Sequence, residues 1–273
     1  MLKVEGLVNK NLILDYSKGI EQFYIIGLFS SGIYLKDKKG KIIMIHDNKY
    51  GLIPFGIGIN NFKETIKQSK INEGSLGILN DNILNIADAK IYLNIKELPS
   101  FISNYLSDET FVKIATKQLF NTNKGVFKSL IDDNFEDNIY SKRLKKVLAD
   151  YKDSEERLKE IVGLGPGLTP SGDDFIFGYL YWLINVNKAV DFKYINKIKN
   201  ILLPFINKNT NQISKTYYDA LLKEEKFELY ERICFSKNEE ELIRNINDLF
   251  TVGSNSGVDI LCGMIYANKH LYL

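Results

Sequence analysis

The chain has 273 residues, of which 45% are hydrophobic and 26% are charged, and its formal net charge is +2. This balance is typical of a globular protein with enough residues for one large domain or two ordinary ones. A charge this close to zero provides no broad basic surface, so we do not expect nucleic acid as a partner.

The compartment can be predicted from the termini, the apolar runs and the cysteines. No long apolar run follows Met1, so we expect no signal peptide. The longest apolar stretch, residues 175–184, is too short to span a bilayer, and we expect no membrane partner. Cys234 and Cys262 both lie in predicted helices. Two such cysteines favour free thiols, and the sequence therefore predicts a cytoplasmic protein.

The N-terminal third has the pattern of a β-rich domain. Short runs rich in isoleucine and aromatic residues alternate with turn residues, and no helical periodicity separates them. The predicted strands cover residues 11–15, 22–26, 32–36, 41–46, 75–79, 82–86 and 89–94. We therefore expect residues 1–98 to form an antiparallel β sandwich or a small barrel.

The remaining residues, 99–273, have the pattern of an all-α domain. Ser107 is the predicted N-cap of a helix with apolar residues spaced three and four apart. Ser236-Lys-Asn-Glu239 has the form of a capping box, and a last helix is predicted to begin at Gly257. The predicted fold class is thus α+β, with a β-rich domain at 1–98 and a helical domain at 99–273.

A glycine-rich stretch, Gly163-Leu-Gly-Pro-Gly-Leu-Thr-Pro-Ser-Gly-Asp-Asp174, interrupts the helical region. Thr169 is the predicted N-cap of the helix that follows, and Pro170 is predicted at its first position, where a missing N–H has no cost. Asp173 and Asp174 then fall in the first turn, where the helix dipole favours negative charge. The helix itself is apolar nearly all round, which predicts that it is buried.

Two interpretations of this stretch remain open. It could be an elaborate helix cap in which the glycines only allow the chain to turn. It could instead be an anion site, because glycine permits close backbone approach and free amides at a helix start bind phosphate. Asp173 and Asp174 could then hold a divalent cation such as Mg²⁺. The predicted substrate- or phosphate-binding residues here are Gly165, Gly167, Thr169, Ser171 and Gly172.

A second copy of the motif favours the binding site. Ser256-Gly257-x-Asp259 repeats Ser171-Gly172-x-Asp174 at a constant offset of 85 residues, as from Gly172 to Gly257, and later Gly and Tyr positions stay in register. We expect the two helix starts to converge, with Asp174 and Asp259 on one side of a shared pocket and Ser254, Ser256 and Gly257 among its anion ligands. A chance match or two independent caps is the alternative.

These residues carry a family resemblance. Gly-Pro-Gly-Leu-Thr-Pro-Ser-Gly-Asp-Asp before an apolar helix, with a later Ser-Gly-x-Asp-x-Leu-x-Gly, resembles the AllH family. The resemblance implies a subunit of oxamate carbamoyltransferase in allantoin catabolism, a branch of purine degradation. It implies a small anionic substrate and further carbamoyltransferase subunits as partners. The two motifs together span about 30 residues, and no motif in the N-terminal third contributes.

Other functions remain possible on the same residues. The chain could be a non-catalytic small-molecule- or nucleotide-binding subunit that acts as scaffold or regulator. It could also be a metal-dependent phosphohydrolase that uses Asp173, Asp174 and Asp259, which are our predicted catalytic residues. No arginine cluster suits two anionic substrates, so an active site could be shared with partner subunits. With only two histidines, a histidine-rich metal site is excluded.

Overall fold

The computed structural model describes residues 1–16, 19–101, 106–150, 154–186 and 192–270. An eight-stranded β barrel is followed by a helical region, which confirms the predicted α+β class. Cα packing divides the chain into a barrel group, residues 1–101 with 226–232, and a helical group, residues 102–225 with 233–273. The domain boundary that we place after residue 98 stays a prediction.

The barrel is closed, which makes the sandwich alternative wrong. Its strands run in the order β1-β5-β4-β3-β2-β6-β7-β8. Six of the eight neighbouring pairs are antiparallel, while β1 pairs with β8 and β4 with β5 in parallel. The strands are β1 Leu2–Val8, β2 Glu21–Leu28, β3 Gly32–Asp37, β4 Ile42–Asp47, β5 Gly56–Ile59, β6 Leu76–Asn80, β7 Ile83–Ile86 and β8 Ala89–Ile95.

Two short α-helices lie within residues 1–101, and the first one corrects a predicted strand. Residues 11–15 lie in helix α1, Lys10–Tyr16, and not in a strand. Leu12 and Tyr16 are four residues apart, so both fall on one helical face and enter the barrel core. The second helix is α2, Phe62–Ser69. Residues 226–232 join the barrel group through paired backbone and side-chain hydrogen bonds between Leu52 and Glu228.

From residue 106 on, the described residues contain helices and turns but no strand. The helices are α3 Asp108–Phe120, α4 Ile139–Asp150, α5 Ser154–Leu158, α6 Ser171–Asn185, α7 Phe192–Asn209, α8 Gln212–Leu222, α9 Glu228–Cys234, α10 Glu239–Leu249 and α11 Ser256–His270. Of the helices described, none is both long enough and apolar enough to cross a membrane.

Two predicted caps have different outcomes. The Ser107 side chain accepts a hydrogen bond from the Thr110 amide, which confirms the predicted cap of α3. The cap of α10 is Asn238 and not Ser236, because its side chain accepts from the Glu241 amide. The Glu241 side chain in turn accepts from the backbone of Lys237. The cap therefore forms two residues later than predicted, and the glutamate accepts from the amide before the N-cap rather than from that of the N-cap itself.

Candidate functional site

The helices α6 and α11 cross at a matched pair of glycines. A Cβ atom added to Gly178 would lie 2.0 Å from the carbonyl oxygen of Ile260, and one added to Gly263 would lie 2.0 Å from that of Phe175. Ile260 and Phe175 occupy the same place in the two motif copies. The repeat seen in the sequence is thus a repeat in space, with each helix presenting its glycine to the other's backbone.

The loops before both helices also correspond. The Gly172 amide donates to the Leu164 carbonyl at 2.7 Å, and the Gly257 amide donates to the Val252 carbonyl at 3.1 Å. A glycine with positive φ stands in each loop, Gly165 in the first and Gly253 in the second, and each lies against the motif serine. The first loop is three residues longer, as the separations in sequence from Gly165 to Ser171 and from Gly253 to Ser256 show.

The predicted cap at Thr169 is wrong, because α6 begins one residue later than expected. Pro170 is the N-cap and makes no side-chain cap. Its carbonyl accepts from the amides of Asp173 and Asp174, at 2.8 and 3.1 Å. The Thr169 hydroxyl instead donates to Asp174 Oδ2 at 3.2 Å and lies 3.2 Å from the hydroxyl of Ser256.

The two helix starts therefore approach each other, as predicted. Both motif acids are buried, and burial raises the pKa of each carboxyl group. A serine of the other motif opposes each shift by hydrogen bonding, Ser256 for Asp174 and Ser171 for Asp259. These hydrogen bonds join the two helix starts in the protein interior, and we call this arrangement the braced crossing.

The acids of the two motifs favour the neutral form. Burial raises the pKa of Asp259 to about 7. Burial, together with the charge of Asp259, raises the pKa of Asp174 well above its usual range. Asp259 Oδ1 accepts from the Phe127 amide at 2.9 Å, while Oδ2 is buried with no partner in ordinary hydrogen-bond geometry among the residues described. Near neutral pH the pair therefore carries fewer than two negative charges.

Asp173 faces a different set of partners from Asp174. Asp173 Oδ1 accepts from the Gly163 amide at 2.9 Å and from the Tyr218 hydroxyl at 3.3 Å, and Oδ2 accepts from the Thr210 hydroxyl. Burial raises the pKa of Asp173, and these hydrogen bonds oppose the shift. Asp173 thus joins the glycine loop to α8.

Both motifs lie in a segment that is similar to a known protein family. A family model described as oxamate carbamoyltransferase subunit AllH matches residues 161–268. This segment is AllH-like. The match contains both Ser-Gly-x-Asp motifs and the helices between them, so the resemblance read from the motifs is confirmed. No curated protein and no solved structure matches the chain.

The carboxyl groups of the matched segment do not fit the predicted cation site. Asp173 is engaged by an amide and two hydroxyls, and Asp174 by two hydroxyls, so their oxygens already accept hydrogen bonds. Over the described part of the chain, no group of three or more His, Cys, Asp or Glu side chains could hold a metal ion. A Mg²⁺ site at Asp173 and Asp174 is therefore not supported, and we derive no chemistry from it.

The predicted anion ligands of the matched segment differ in their exposure to solvent. Gly167 and Ser254 are exposed, and Gly165, Thr169 and Ser256 are half-buried. Ser171, Gly172 and Gly257 are buried, and the amides of the two glycines already donate to carbonyls. In this conformation an anion at the helix starts would have to use the exposed loop atoms. Anion binding by these residues stays a prediction.

One feature outside the matched segment was not predicted from the sequence. The backbone of residues 125–127 is held by Asn255, whose Oδ1 accepts from the Gly125 amide at 3.0 Å, and by Asp259, which accepts from Phe127. Asn138 Nδ2 completes the set by donating to the Val126 carbonyl at 2.6 Å. A break in helical periodicity around Gly125 was the available signal. The second motif therefore positions a segment about 130 residues earlier in the chain.

Proposed function

We propose that the chain is a cytoplasmic subunit of an oxamate carbamoyltransferase-like enzyme of allantoin catabolism. The observation that carries this proposal is the AllH match over residues 161–268, which contains both motifs and hence the braced crossing. Such an enzyme converts oxalurate and phosphate to oxamate and carbamoyl phosphate. The C–N bond of the ureido group breaks, a C–O bond to phosphate forms, and the phosphate proton ends on the oxamate nitrogen.

We further propose that the paired helix starts are where this chain contributes to the reaction. The two loops meet at the Thr169–Ser256 contact, and their exposed residues can reach a small anionic substrate. The acids Asp173, Asp174 and Asp259 are buried, so their contribution is to position the loops rather than to touch the substrate. Carbamoyl transfer needs donors on the developing oxyanion, which loop amides of fixed geometry can supply.

A non-catalytic scaffold or regulatory subunit is the second candidate. It is favoured by one observation, namely that the amides of Gly172 and Gly257 already donate to carbonyls. On this alternative, the braced crossing stabilises the fold and a partner subunit holds the complete active site. The metal-dependent phosphohydrolase has less support, because the hydrogen-bonded carboxyl oxygens do not fit a cation.

The reaction itself can be tested in the phosphorolytic direction. The full chain is co-expressed with its carbamoyltransferase partner subunits, and the assembly is given oxalurate and phosphate. Carbamoyl phosphate is detected by carbamate kinase, which converts it with ADP to ATP. The proposal expects ATP that depends on oxalurate, phosphate and the assembly. ATP formation that is independent of oxalurate would contradict it.

The positioning role can be tested separately with Asp259→Asn. The asparagine side chain keeps the shape of the carboxyl group but has one acceptor oxygen instead of two. The Phe127 amide and the Ser171 hydroxyl therefore have one acceptor oxygen fewer to share. We expect kcat to fall about tenfold or more while the assembly stays intact, since misplaced loops weaken transition-state contacts. The same change at Asp219, an exposed residue on α8, is the control and should leave kcat unchanged. Equal kcat for both variants would refute the positioning role.

A further inference from the structure

An open cleft of about 610 Å³ lies in the helical group beside the braced crossing. Pro166 of the first glycine loop and Asn255 of the second line it. The rest of the lining is a wall formed by residues between 123 and 140. The cleft is therefore the place where both motif loops border a common space.

The wall between 123 and 140 is fixed rather than loose. The Gly125 and Phe127 amides donate to the side chains of Asn255 and Asp259. The Val126 carbonyl accepts from Asn138. Two of these three partners belong to the second motif. Lining groups that are held in this way can recognise a ligand without first being ordered, which reduces the entropic cost of binding.

The lining has the chemistry of an amide site. Four asparagines border the cleft. The side chains of Asn138 and Asn255 are partly used in holding the wall, whereas those of Asn123 and Asn134 make no hydrogen bond within the described residues. Each free carboxamide offers two donors and one acceptor with two lone pairs. Together they can pair with a ligand that carries both an N–H donor and a carbonyl.

The charges of the lining select against an anionic group. Its charged residues are Glu136 and Asp137, both acidic. Hydrogen bonding from Lys145, at 2.8 Å, lowers the pKa of Asp137, so this carboxyl stays ionised. A carboxylate or phosphate placed against this wall would be repelled, while a neutral polar group would not.

We propose that this cleft binds the primary carboxamide end of a small substrate, the H₂N–C(=O)– group. The proposal rests on the proposed function, because oxamate, oxalurate and carbamoyl phosphate all end in this group. The anionic end of each molecule points away from Glu136 and Asp137. Its cationic partners come from outside this lining, and a partner subunit of the assembly supplies them. The chain thus contributes the amide-recognising half of a composite site.

The proposal is tested by titrating the full chain, isotopically labelled for NMR, with oxamate and with N,N-dimethyloxamate. The two anions have the same charge, but the second lacks both N–H donors. Because a site that hydrogen-bonds an N–H rejects an analogue without it, we expect oxamate to bind at least tenfold more tightly. We also expect its shift changes to centre on residues 123–126 and on the asparagine side-chain amides.

Variants make the assignment specific. The double variant Asn123→Ala/Asn134→Ala should weaken oxamate binding at least tenfold. Both residues are exposed, so the fold should be unaffected. Asn247→Ala, an exposed asparagine on α10, is the matched control and should bind like the wild type. Equal binding of the two anions, unchanged binding by the double variant, or no binding of oxamate would each overturn the proposal.

The outcomes also separate this proposal from the proposed function. If the assembly shows no phosphorolysis of oxalurate but the titration behaves as expected, the reaction is wrong and the amide site stands. If the assembly is active and the double variant keeps the wild-type KM for oxalurate, the amide site is wrong and the reaction stands.

Discussion

Replacement of Gly178 by alanine tests the crossing on which the site depends. An ideal Cβ at this position lies 2.0 Å from the Ile260 carbonyl oxygen, 2.8 Å from its carbonyl carbon and 3.0 Å from its Cα. Ordinary contacts of a Cβ atom begin at 3.4 Å. All three atoms are backbone of a second buried helix, so no side-chain rotation can relieve the overlap. The helices α6 and α11 must move apart.

The expected loss of stability in Gly178→Ala follows from two opposing effects. Overpacking a well-packed interior costs about 1–3 kcal/mol, and rigid backbone on both sides places this site at about 3 kcal/mol or above. Alanine stabilises a helix interior by about 1 kcal/mol relative to glycine. The net destabilisation should therefore be about 2 kcal/mol or more. Gly263→Ala, with the same 2.0 Å overlap on Phe175, should lose a similar amount.

The assay is urea unfolding followed by the fluorescence of Trp182, which is the one tryptophan of the chain. Trp182 is buried in α6, with its ring 4.3 Å from that of Phe111, so it reports on the helical group. Gly74→Ala is the control, since its Cβ would meet only the side-chain oxygen of Asn72, at 3.3 Å. The control should change the Trp182 transition by less than about 0.5 kcal/mol.

A double variant sharpens this test. Once the first methyl group has separated the helices, the second meets less resistance, so Gly178→Ala/Gly263→Ala should lose less than the sum of the single losses, by about 1 kcal/mol or more. Wild-type or higher stability of Gly178→Ala would refute the close crossing. Strict additivity would show that the two glycines do not share one contact.

Three further predictions concern titrating groups and thiols. Burial raises the pKa of Asp259 in the folded protein to about 7, so the contribution of this group to the free energy of unfolding is full at low pH and is lost as the pH rises. The Trp182 transition should weaken by up to about 1.4 kcal/mol per unit between about pH 4 and pH 7, and Asp259→Asn should flatten this slope. Burial lowers the pKa of His46 to about 4, so the barrel group should instead weaken as the pH falls from about 6.5 to about 4. Hydrogen exchange of β4 should show this, and an exchange rate that does not respond to pH after correction for intrinsic exchange would contradict it. Cys234 and Cys262 are free and buried, so a thiol reagent should label both only after unfolding, and failure to label the unfolded chain would contradict this.

Local patterns predicted most of the elements because their periodicity is visible in the chain. Strands β2 to β4 follow alternating or continuous apolar runs, and the Asp37-Lys-Lys-Gly40 turn closes as expected, with the Asp37 amide donating to the Lys41 carbonyl. Residues 11–15 were mistaken for a strand, because their three consecutive apolar residues fit either a helix or a strand. Packing against the barrel core favours the helix. The parallel pairing of β1 with β8 depends on contacts almost 90 residues apart, which local patterns do not encode.

The candidate site was predicted in part for a similar reason. The repeat at Ser171 and Ser256 located both helix starts, because a glycine-flanked acid at a helix start is a local signal. That Asp174 and Asp259 are buried, with their pKa values raised, depends on the crossing and could not be derived from spacing alone. The bond from the Phe127 amide to Asp259 joins residues 132 apart, so the cleft beside it was invisible in the sequence.

The central claim is that this chain is a working subunit of an oxamate carbamoyltransferase-like enzyme. Omitting the chain from the enzyme assembly tests this claim most directly. The assembly is prepared with and without the chain, supplied with carbamoyl phosphate labelled with ¹³C at its carbonyl carbon and with oxamate, and followed by ¹³C NMR. The account predicts that labelled oxalurate forms only with the complete assembly and that adding the purified chain to the incomplete one restores it. Labelled oxalurate forming at the same rate without the chain, or none forming with it, would contradict the account.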